Sequence, residues 1–328
     1  MSAARVASVS LDLDNEWTYL RTHGDEGWES FPSYLETVVP RVLGFLRDRG
    51  LHITFFVVGQ DAAVEANHAC LMNIAEQGHE IGNHSFSHQP WLHLMSAADL
   101  EDEIESSQQA IEAATGRRPI GFRGPGYSLS RNTLELLSRH GFRYDASTIP
   151  TFIGPLARAY YFRASSLNRE GREQRDQLFG GFSEGFRPLK PYRWGPPADG
   201  LVEIPVTTMP LVRTPIHASY ILYMSLYSKA LAKAYFAAAL ELCRIMGVGP
   251  SLLLHPLDFL DERDVPRLDF FPGVGIAVPE KLSLVGWMIE CIQRYWRVVT
   301  MEEHARVAAN GPLAQRTCLK LATEDSRR

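Results

Sequence analysis

Along the first half of the chain, short β-branched apolar runs alternate with longer stretches of helical pattern. That is the signature of β/α units built around a parallel sheet or barrel. VASVSLD at 6–12 reads as a strand, and after a loop a helix follows near 33–49, stopped by the turn residue Gly50. ITFFVVG at 53–59 is the next strand, a helix covers about 61–77, and a short strand lies in HEIGN at 79–83. A polar helix near 96–115 takes Ser96 as its cap and Gly116 as its stop. In GFRGPGY at 121–127 the Gly and Pro residues mark a sharp turn after a short strand. A helix from about 131 to 140 then leads to FRYDAS at 142–147.

After that the rhythm breaks. Residues 150–200 show no clear strand or helix alternation, and a loop of that length in a compact domain is either functional or disordered. Between residues 158 and 193, eight basic side chains face four acidic ones, interleaved with aromatics from Tyr160 to Tyr192. Such a surface suits a phosphate or nucleotide gripped by guanidinium groups beside a stacked sugar or lipid; a loop packed over the barrel is the simpler reading. The strand pattern resumes with LVEIPV at 201–206, a long helical run fills about 218–246, and SLLLHP at 251–256 looks like a buried strand. A helix near 279–294 and WRVVT at 296–300 close the fold. The expected organisation is one barrel domain over 1–310, with 150–200 as an insertion before the last barrel strands, and a polar, frayed tail at 311–328.

Composition narrows the function classes. With 328 residues, 45% hydrophobic and 22% charged, the chain has an ordinary globular balance. A net charge of -5 argues against a general nucleic-acid binder, which carries a basic excess. Cys70, Cys243, Cys291 and Cys318 form no C-x-x-C pair, so neither a zinc ribbon nor a disulfide framework is expected. Asp12, Asp14 and Glu16 stand where a signal peptide needs its apolar core, and no apolar run reaches the ~20 residues of a membrane span, so a cytoplasmic location is expected. The hydrophobic segment 216–247, with Lys229 and Lys233 on one helical face, reads as a buried barrel helix. Its alternative is a helix lying at the inner membrane surface, where it would recruit a lipid-linked sugar.

The candidate chemistry sits where strands end. Asp12 and Asp14 follow the first strand, His84 and His88 the third, Arg123 opens the Gly-Pro turn, and His255 ends the buried strand at 251–256. In a β/α barrel those ends converge on one face. Two histidines four residues apart can aim both rings at one point, as a metal requires, when an acidic partner joins them. His79 is expected to be structural, and His93 stands apart beyond Pro90 and Trp91.

SLDLDN at 10–15, HSFSH at 84–88, FRGPGY at 122–127 and LLLHP at 252–256 resemble, in order, the motifs of the polysaccharide deacetylases, the NodB-homology group of carbohydrate esterase family four. The resemblance implies an α/β fold, a distorted (β/α) barrel, and metal-dependent removal of an acyl group from a sugar. Carried over by position, it makes Asp14, His84 and His88 the metal ligands, Asp12 the general base, Arg123 its partner and His255 the general acid. A backbone N–H near Gly126 or Tyr127 would stabilise the oxyanion, and Asp145 would be a second-layer partner for a catalytic histidine or simply a loop cap. The implied cofactor is a divalent metal, zinc first, with cobalt, nickel, iron or manganese also suited to the donor set.

Leu13 separates the two aspartates, which many members place side by side. The D-x-D form, with the R-x-P-G turn, looks more like the branch holding peptidoglycan-deacetylase-like and allantoinase-like proteins and the formamido-arabinose undecaprenyl-phosphate deformylases. The expected function is therefore removal of an N-acetyl or N-formyl group from an amino sugar in a glycolipid or surface-glycan intermediate. The alternatives are an allantoinase-like cyclic-amide or ureide hydrolase, and a non-catalytic carbohydrate-binding barrel.

Overall fold

A computed structural model describes residues 5–154, 156, 181–196, 198 and 200–316. The strands are β1 (Val6–Leu13), β2 (Thr54–Val57), β3 (Glu80–Asn83), β4 (Gly121–Phe122), β5 (Tyr144–Asp145), β6 (Tyr192–Trp194), β7 (Val202–Glu203), β8 (Ser251–Leu254), β9 (Arg297–Val299) and β10 (Gln315–Arg316). They form one sheet in the order β10-β6-β7-β5-β4-β3-β2-β1-β8, with β9 also on β1. All of its pairings are parallel except β6 with β7.

The sheet curls so that the segment following β7 reaches β8. Beyond β7 the chain stays extended, with Ile204 N donating to Asp145 O and Val206 N to Thr148 O. Thr207 N then donates to Ser251 O at 3.1 Å and Ser251 N to Thr207 Oγ1 at 2.7 Å, which ties the β7 side to β8. The result is the expected α/β architecture of a distorted barrel.

Side-chain alternation decides what the curl encloses. In β1, Ala7, Val9, Leu11 and Leu13 face the main apolar core, so Ser8, Ser10 and Asp12 face the other way, into the barrel. Likewise Phe55 and Val57 point out and Phe56 points in, where it joins Tyr144, Ala146, Val202 and Ile204. Leu252 and Leu254 point out while Leu253 points in, which sends the next inward position, His255, into the barrel mouth.

Helices α1 (Glu16–His23), α2 (Leu35–Arg47), α3 (Gly59–Ala62), α4 (His68–Glu76), α5 (Ala97–Thr115), α6 (Arg131–Arg139), α7 (Ala218–Ser225), α8 (Lys229–Met246), α9 (Val278–Gln293) and α10 (Met301–Ala309) complete the fold. Ser96 Oγ accepts from Asp99 N to cap α5, and Gly116 ends it in the left-handed conformation at φ 65°, as its sequence predicts. Met301 and Ala305 of α10 join the inward cluster of Phe56 and Tyr144, and His304 Nδ1 meets Ser8 Oγ at 2.9 Å, so this helix plugs the end of the barrel opposite the strand C-termini.

Four sequence expectations need correction. The run 218–246 is two helices, because Ser228 breaks it and caps α8 through Leu231 N. The stretch expected to lack strands contains β6, and the tail expected to fray begins with β10, paired to β6. Helices α1 and α10 were not legible in the apolar spacing. Much of the basic and aromatic insertion, including Arg158 to Arg175 and Tyr160 to Phe179, lies outside the described residues. The inward-facing side of α8, with Ala232, Phe236, Ala239, Leu240 and Cys243, is core, as expected for a barrel helix. No helix among the described residues is long and apolar enough to cross a membrane.

Candidate metal centre and active site

Three of the strand-end residues meet. Asp14, His84 and His88 are buried, and one ligand atom from each lies within 4.8 Å of the other two. His88 Nε2 is 3.0 Å and His84 Nε2 3.3 Å from Asp14 Oδ1.

The loop that brings the two rings together is not helical. Ser85 and His88 adopt left-handed conformations, at φ 62° and 50°, each costing about 1–3 kcal/mol for a residue with a side chain. The surroundings over-determine them. Asn83 Oδ1 accepts Ser85 N at 2.8 Å and Ser107 Oγ at 3.0 Å, while Ser85 Oγ accepts His88 N at 3.1 Å. Glu103 Oε1 accepts both Ser87 N and Ser87 Oγ, and Arg21 reaches the Ser87 and His88 carbonyls from α1.

The donor set fits a cation. His84 Nδ1 lies 2.6 Å from the Arg123 carbonyl, an acceptor, so Nδ1 carries the proton and the Nε2 lone pair faces carboxylate oxygens. Lone pair against anion is unfavourable unless a positive charge lies between them. The ionisation shifts follow the same field: burial alone would raise the Asp14 carboxyl, but the two imidazoles hold it well below the usual range. Burial depresses His84 too, yet Asp12 and Asp14 raise it overall, whereas for His88 burial prevails and lowers it.

Asp12 stands beside this trio with its Oδ2 3.8 Å from His84 Nε2. Its Oδ1 accepts Arg123 Nη1 at 2.6 Å. The same Nη1 reaches Ser10 Oγ at 2.8 Å, Arg123 Nε donates to Ala146 O at 3.0 Å, and the guanidinium lies 4.4 Å over the Phe56 ring. Arg123 is fully buried, so its charge is compensated by Asp12 inside the barrel.

His255 follows β8, with its Nδ1 3.2 Å from Ser219 Oγ on α7. Gly126 and Tyr127 lie in a left-handed turn, φ 59° and 61°, after β4. Tyr127 N already donates to Gly124 O at 3.0 Å, so the expected oxyanion donor is not the Tyr127 amide. The Tyr127 ring instead packs on Ile149, Val206 and Leu253. Burial, with Asp12 nearby, pushes its hydroxyl pKa up.

Of the two readings of Asp145, the structure supports the loop cap. Asp145 pairs in register with Phe122, which points outward, and with Glu203, and the pleat turns it away from the histidines. Its carboxylate accepts Ser147 Oγ at 2.6 Å and Ser147 N at 3.3 Å, and Ser147 Oγ accepts Gly124 N at 2.8 Å. It is thus a loop cap that steadies the R-G-P-G turn. Burial and the adjacent Asp145 push Glu203 well above the usual carboxylate range, and Glu203 Oε2 accepts the Trp194 indole N–H at 3.0 Å. His79 is structural as expected, its Nδ1 accepting Ile53 N at 3.2 Å, and His93 Nδ1 pairs with Ser128 Oγ at 2.8 Å.

Residues 24–144 match the polysaccharide deacetylase family model. A peptidoglycan deacetylase of Helicobacter pylori is 34% identical over 170 residues, covering 50% of this chain and 55% of that protein. Over these residues the chain resembles the polysaccharide deacetylase family. A peptidoglycan deacetylase-like protein, FGM2, of Gibberella zeae is 32% identical over 147 residues, 43% of each chain, so this chain matches about half the length of its curated relatives. In fold it is similar to a protein of Mycobacterium smegmatis assigned as a polysaccharide deacetylase, with TM-score 0.60 at 19% identity over 99% of both chains. It is also similar to the PuuE allantoinase, with TM-score 0.54 at 18% identity over 93% of this chain and 91% of that one.

The matched span of the family model contains His84, His88 and Arg123, whereas Asp12, Asp14 and His255 lie outside it and are joined to them by geometry. Sequence reasoning missed the residues that hold the site in place. Ser10 and Phe56 were legible as inward positions of their strands, and Asp258 as the third residue after His255, the spacing of a capping box. Ser107, Glu103 and Arg21 left no signal, because they reach the histidine loop from other elements.

Proposed function

We propose that the protein is a metal-dependent amide hydrolase that removes an N-acetyl or N-formyl group from an amino sugar in a glycolipid or surface-glycan intermediate. What carries this reading is one juxtaposition: Asp14, His84 and His88 converge beside an Asp12 whose other oxygen Arg123 holds. Asp14 Oδ1 and the Nε2 atoms of His84 and His88 would hold the metal, zinc being the first expectation. A divalent ion bound there supplies a water of lowered pKa and polarises the carbonyl.

Arg123 keeps Asp12 Oδ1 fixed, which leaves Oδ2 to take the proton of the attacking water. The Gly126 amide is the proposed oxyanion donor on the R-G-P-G turn. His255 gives its proton to the departing amine, without which an amide nitrogen is a poor leaving group.

The test combines metal analysis with product analysis. Purified protein is expected to hold about one metal ion per chain, lost in Asp14→Ala and in His88→Ala. It is expected to release acetate or formate, with free amine, from N-acyl sugars presented free, nucleotide-linked and polyprenyl-linked. Unchanged metal content in both variants would remove the site assignment. Turnover of a cyclic ureide alone would move the protein to the allantoinase-like reading, and metal binding without any turnover to a carbohydrate-binding barrel.

A further inference from the structure

The three proposed ligands come from strands that are not neighbours. Asp14 follows β1 and the loop of His84 and His88 follows β3, while β2 lies between and pairs with both. Two strand spacings are roughly 9.5 Å, so the sheet ladder does not join the two ends that carry the donor set. Side chains have to hold them together.

Arg21 crosses that gap. It lies on α1, and this helix is anchored directly behind Asp14. Asn15 Oδ1 caps the helix by accepting Glu16 N at 2.9 Å and also accepts Tyr34 N at 3.1 Å, Asn15 Nδ2 donates to Asp61 Oδ1 at 2.8 Å, and the Tyr34 hydroxyl donates to the Asp14 carbonyl. From that base Arg21 Nη2 donates to the Ser87 carbonyl and to the His88 carbonyl, each at 2.5 Å. With His88 in its left-handed conformation, both carbonyls converge on one nitrogen.

The guanidinium is itself confined. Its central carbon lies 5.0 Å from the Trp17 ring centroid and 5.4 Å from that of Trp28. Trp17, one turn earlier on α1, is buried and fixed by its indole N–H, which donates to Asp61 Oδ1 at 2.9 Å. A planar cation already held against aromatic rings loses little freedom when it donates, so its hydrogen bonds restrain the loop. From α5, Glu103 Oε1 accepts Ser87 N at 2.6 Å and Ser87 Oγ at 2.7 Å. The loop is thus gripped on two sides, and the grip from α1 is the one that leads back to Asp14. Arg21 lies outside the motifs that carry the family resemblance and before the span 24–144 matched by the family model.

We infer that Arg21 is a positioning residue of the metal centre: by tying the histidine loop to the helix anchored at Asp14, it sets how tightly the three ligands hold a divalent cation. The inference rests on the metal-centre reading of this site. A loop ordered in its left-handed turns beforehand loses less freedom when the ion arrives, and the ion is held more tightly for it.

The test is the zinc dissociation constant of the full chain, measured by competition with a chromogenic chelator, with the folding of each variant checked by its urea midpoint. Arg21→Gln is expected to bind zinc about 10–100-fold more weakly than the parent, as is usual when the support of a metal ligand is removed. Arg21→Lys keeps a donor for one carbonyl and should recover part of the loss. Arg267→Gln is the control, because Arg267 fastens α1 and the loop after it through Glu16 at 3.7 Å and the Glu26 carbonyl at 2.9 Å. Its zinc affinity is expected to match that of the parent. The visible absorption of the cobalt-loaded forms reports ligand geometry, and should change in Arg21→Gln but not in Arg267→Gln.

Equal zinc affinity in the parent and Arg21→Gln overturns the proposal. So does an equal loss in Arg21→Gln and Arg267→Gln, which would make Arg21 a stabiliser of α1 alone. Should Arg21→Gln fail to fold, Trp28→Leu carries the test, since it removes one ring from the guanidinium and leaves both hydrogen bonds in place: zinc binding about two- to fivefold weaker supports the proposal, and parental affinity overturns it. A parent that holds neither zinc nor cobalt removes the metal reading itself, and the inference with it.

Discussion

Arg123 shows how much one side chain carries at the scale of a residue. Its guanidinium holds Asp12 and Ser10 with one nitrogen, the Ala146 carbonyl with another, and lies on the Phe56 ring, while its own carbonyl fixes the His84 tautomer. An ammonium is a point charge on a flexible stem, and cannot hold a fork of partners while stacking on a ring. Arg123→Lys is therefore expected to keep the charge, bind metal, and still lose about 10²-fold in kcat, because Asp12 Oδ1 is no longer fixed. Asp12→Asn, which keeps the shape and removes the base, is expected to lose about 10²–10⁴-fold with metal retained. Equal full activity in both variants, measured as acyl release at saturating substrate, would take Asp12 out of its role. The histidine pair was legible from its spacing, and Asp12, Asp14 and Arg123 were legible through the family resemblance. Ser219 was not, since a single serine at the start of a helix looks like any other until His255 and Asp258 fold against it.

At the scale of elements, the two-residue period of the strands sorts function from packing. Because Ser10 and Asp12 share a face with Gly82 and Phe56, the polar groups inside the barrel rest against an inward apolar cluster that includes the Phe56 ring. Phe56 lies opposite Gly82 in register, and a Cβ on Gly82 would stand 2.5 Å from the Phe56 ring. The glycine of HEIGN therefore makes room for the ring on which Arg123 rests. Gly82→Ala is expected to destabilise the fold by about 1–3 kcal/mol through overpacking. It should also reduce kcat, because the displaced ring pushes on Arg123, and a denaturant melt paired with the activity assay checks both. A variant with parental stability and rate would mean that the ring has another place to go. The same pleat explains why the sequence left Asp145 between two readings: at a strand two residues long the phase of alternation is not readable, and the inward residue there is Tyr144. Strands β6 and β10 were missed for a related reason. Each is only two or three residues long, too short to show an apolar period, and β10 depends on pairing with β6, far back along the chain.

For the whole molecule, the polar groups shut inside the barrel and beneath its loops make stability depend on pH in two opposing ways. Burial lowers His304, in the helix that plugs the barrel, from 6.5 to about 4. Below pH 6.5 the unfolded chain takes up a proton that the folded chain refuses, so this group's contribution is intact above 6.5 and is lost as the pH falls towards 4. At ~1.4 kcal/mol per unit the loss is about 2 kcal/mol by pH 5. Asp61 works the other way: burial raises it from 3.8 to about 7, although Asn15 and Trp17 donate to its Oδ1. Between those values the unfolded chain releases a proton that the folded chain keeps, so stability falls as the pH rises through this window. The two contributions are separable by substitution. His304→Gln is expected to be less stable than the parent at pH 7.5, with the gap narrowing by about 2 kcal/mol at pH 5. Asp61→Asn retains an acceptor for Asn15 and Trp17, removes the ionisation, and should gain on the parent progressively from about pH 4 to about pH 7 and then level off. Urea midpoints of the three proteins across that range decide the matter. Curves that run parallel would show that neither group changes its protonation on folding, and that the burial of these two side chains is relieved by water reaching them.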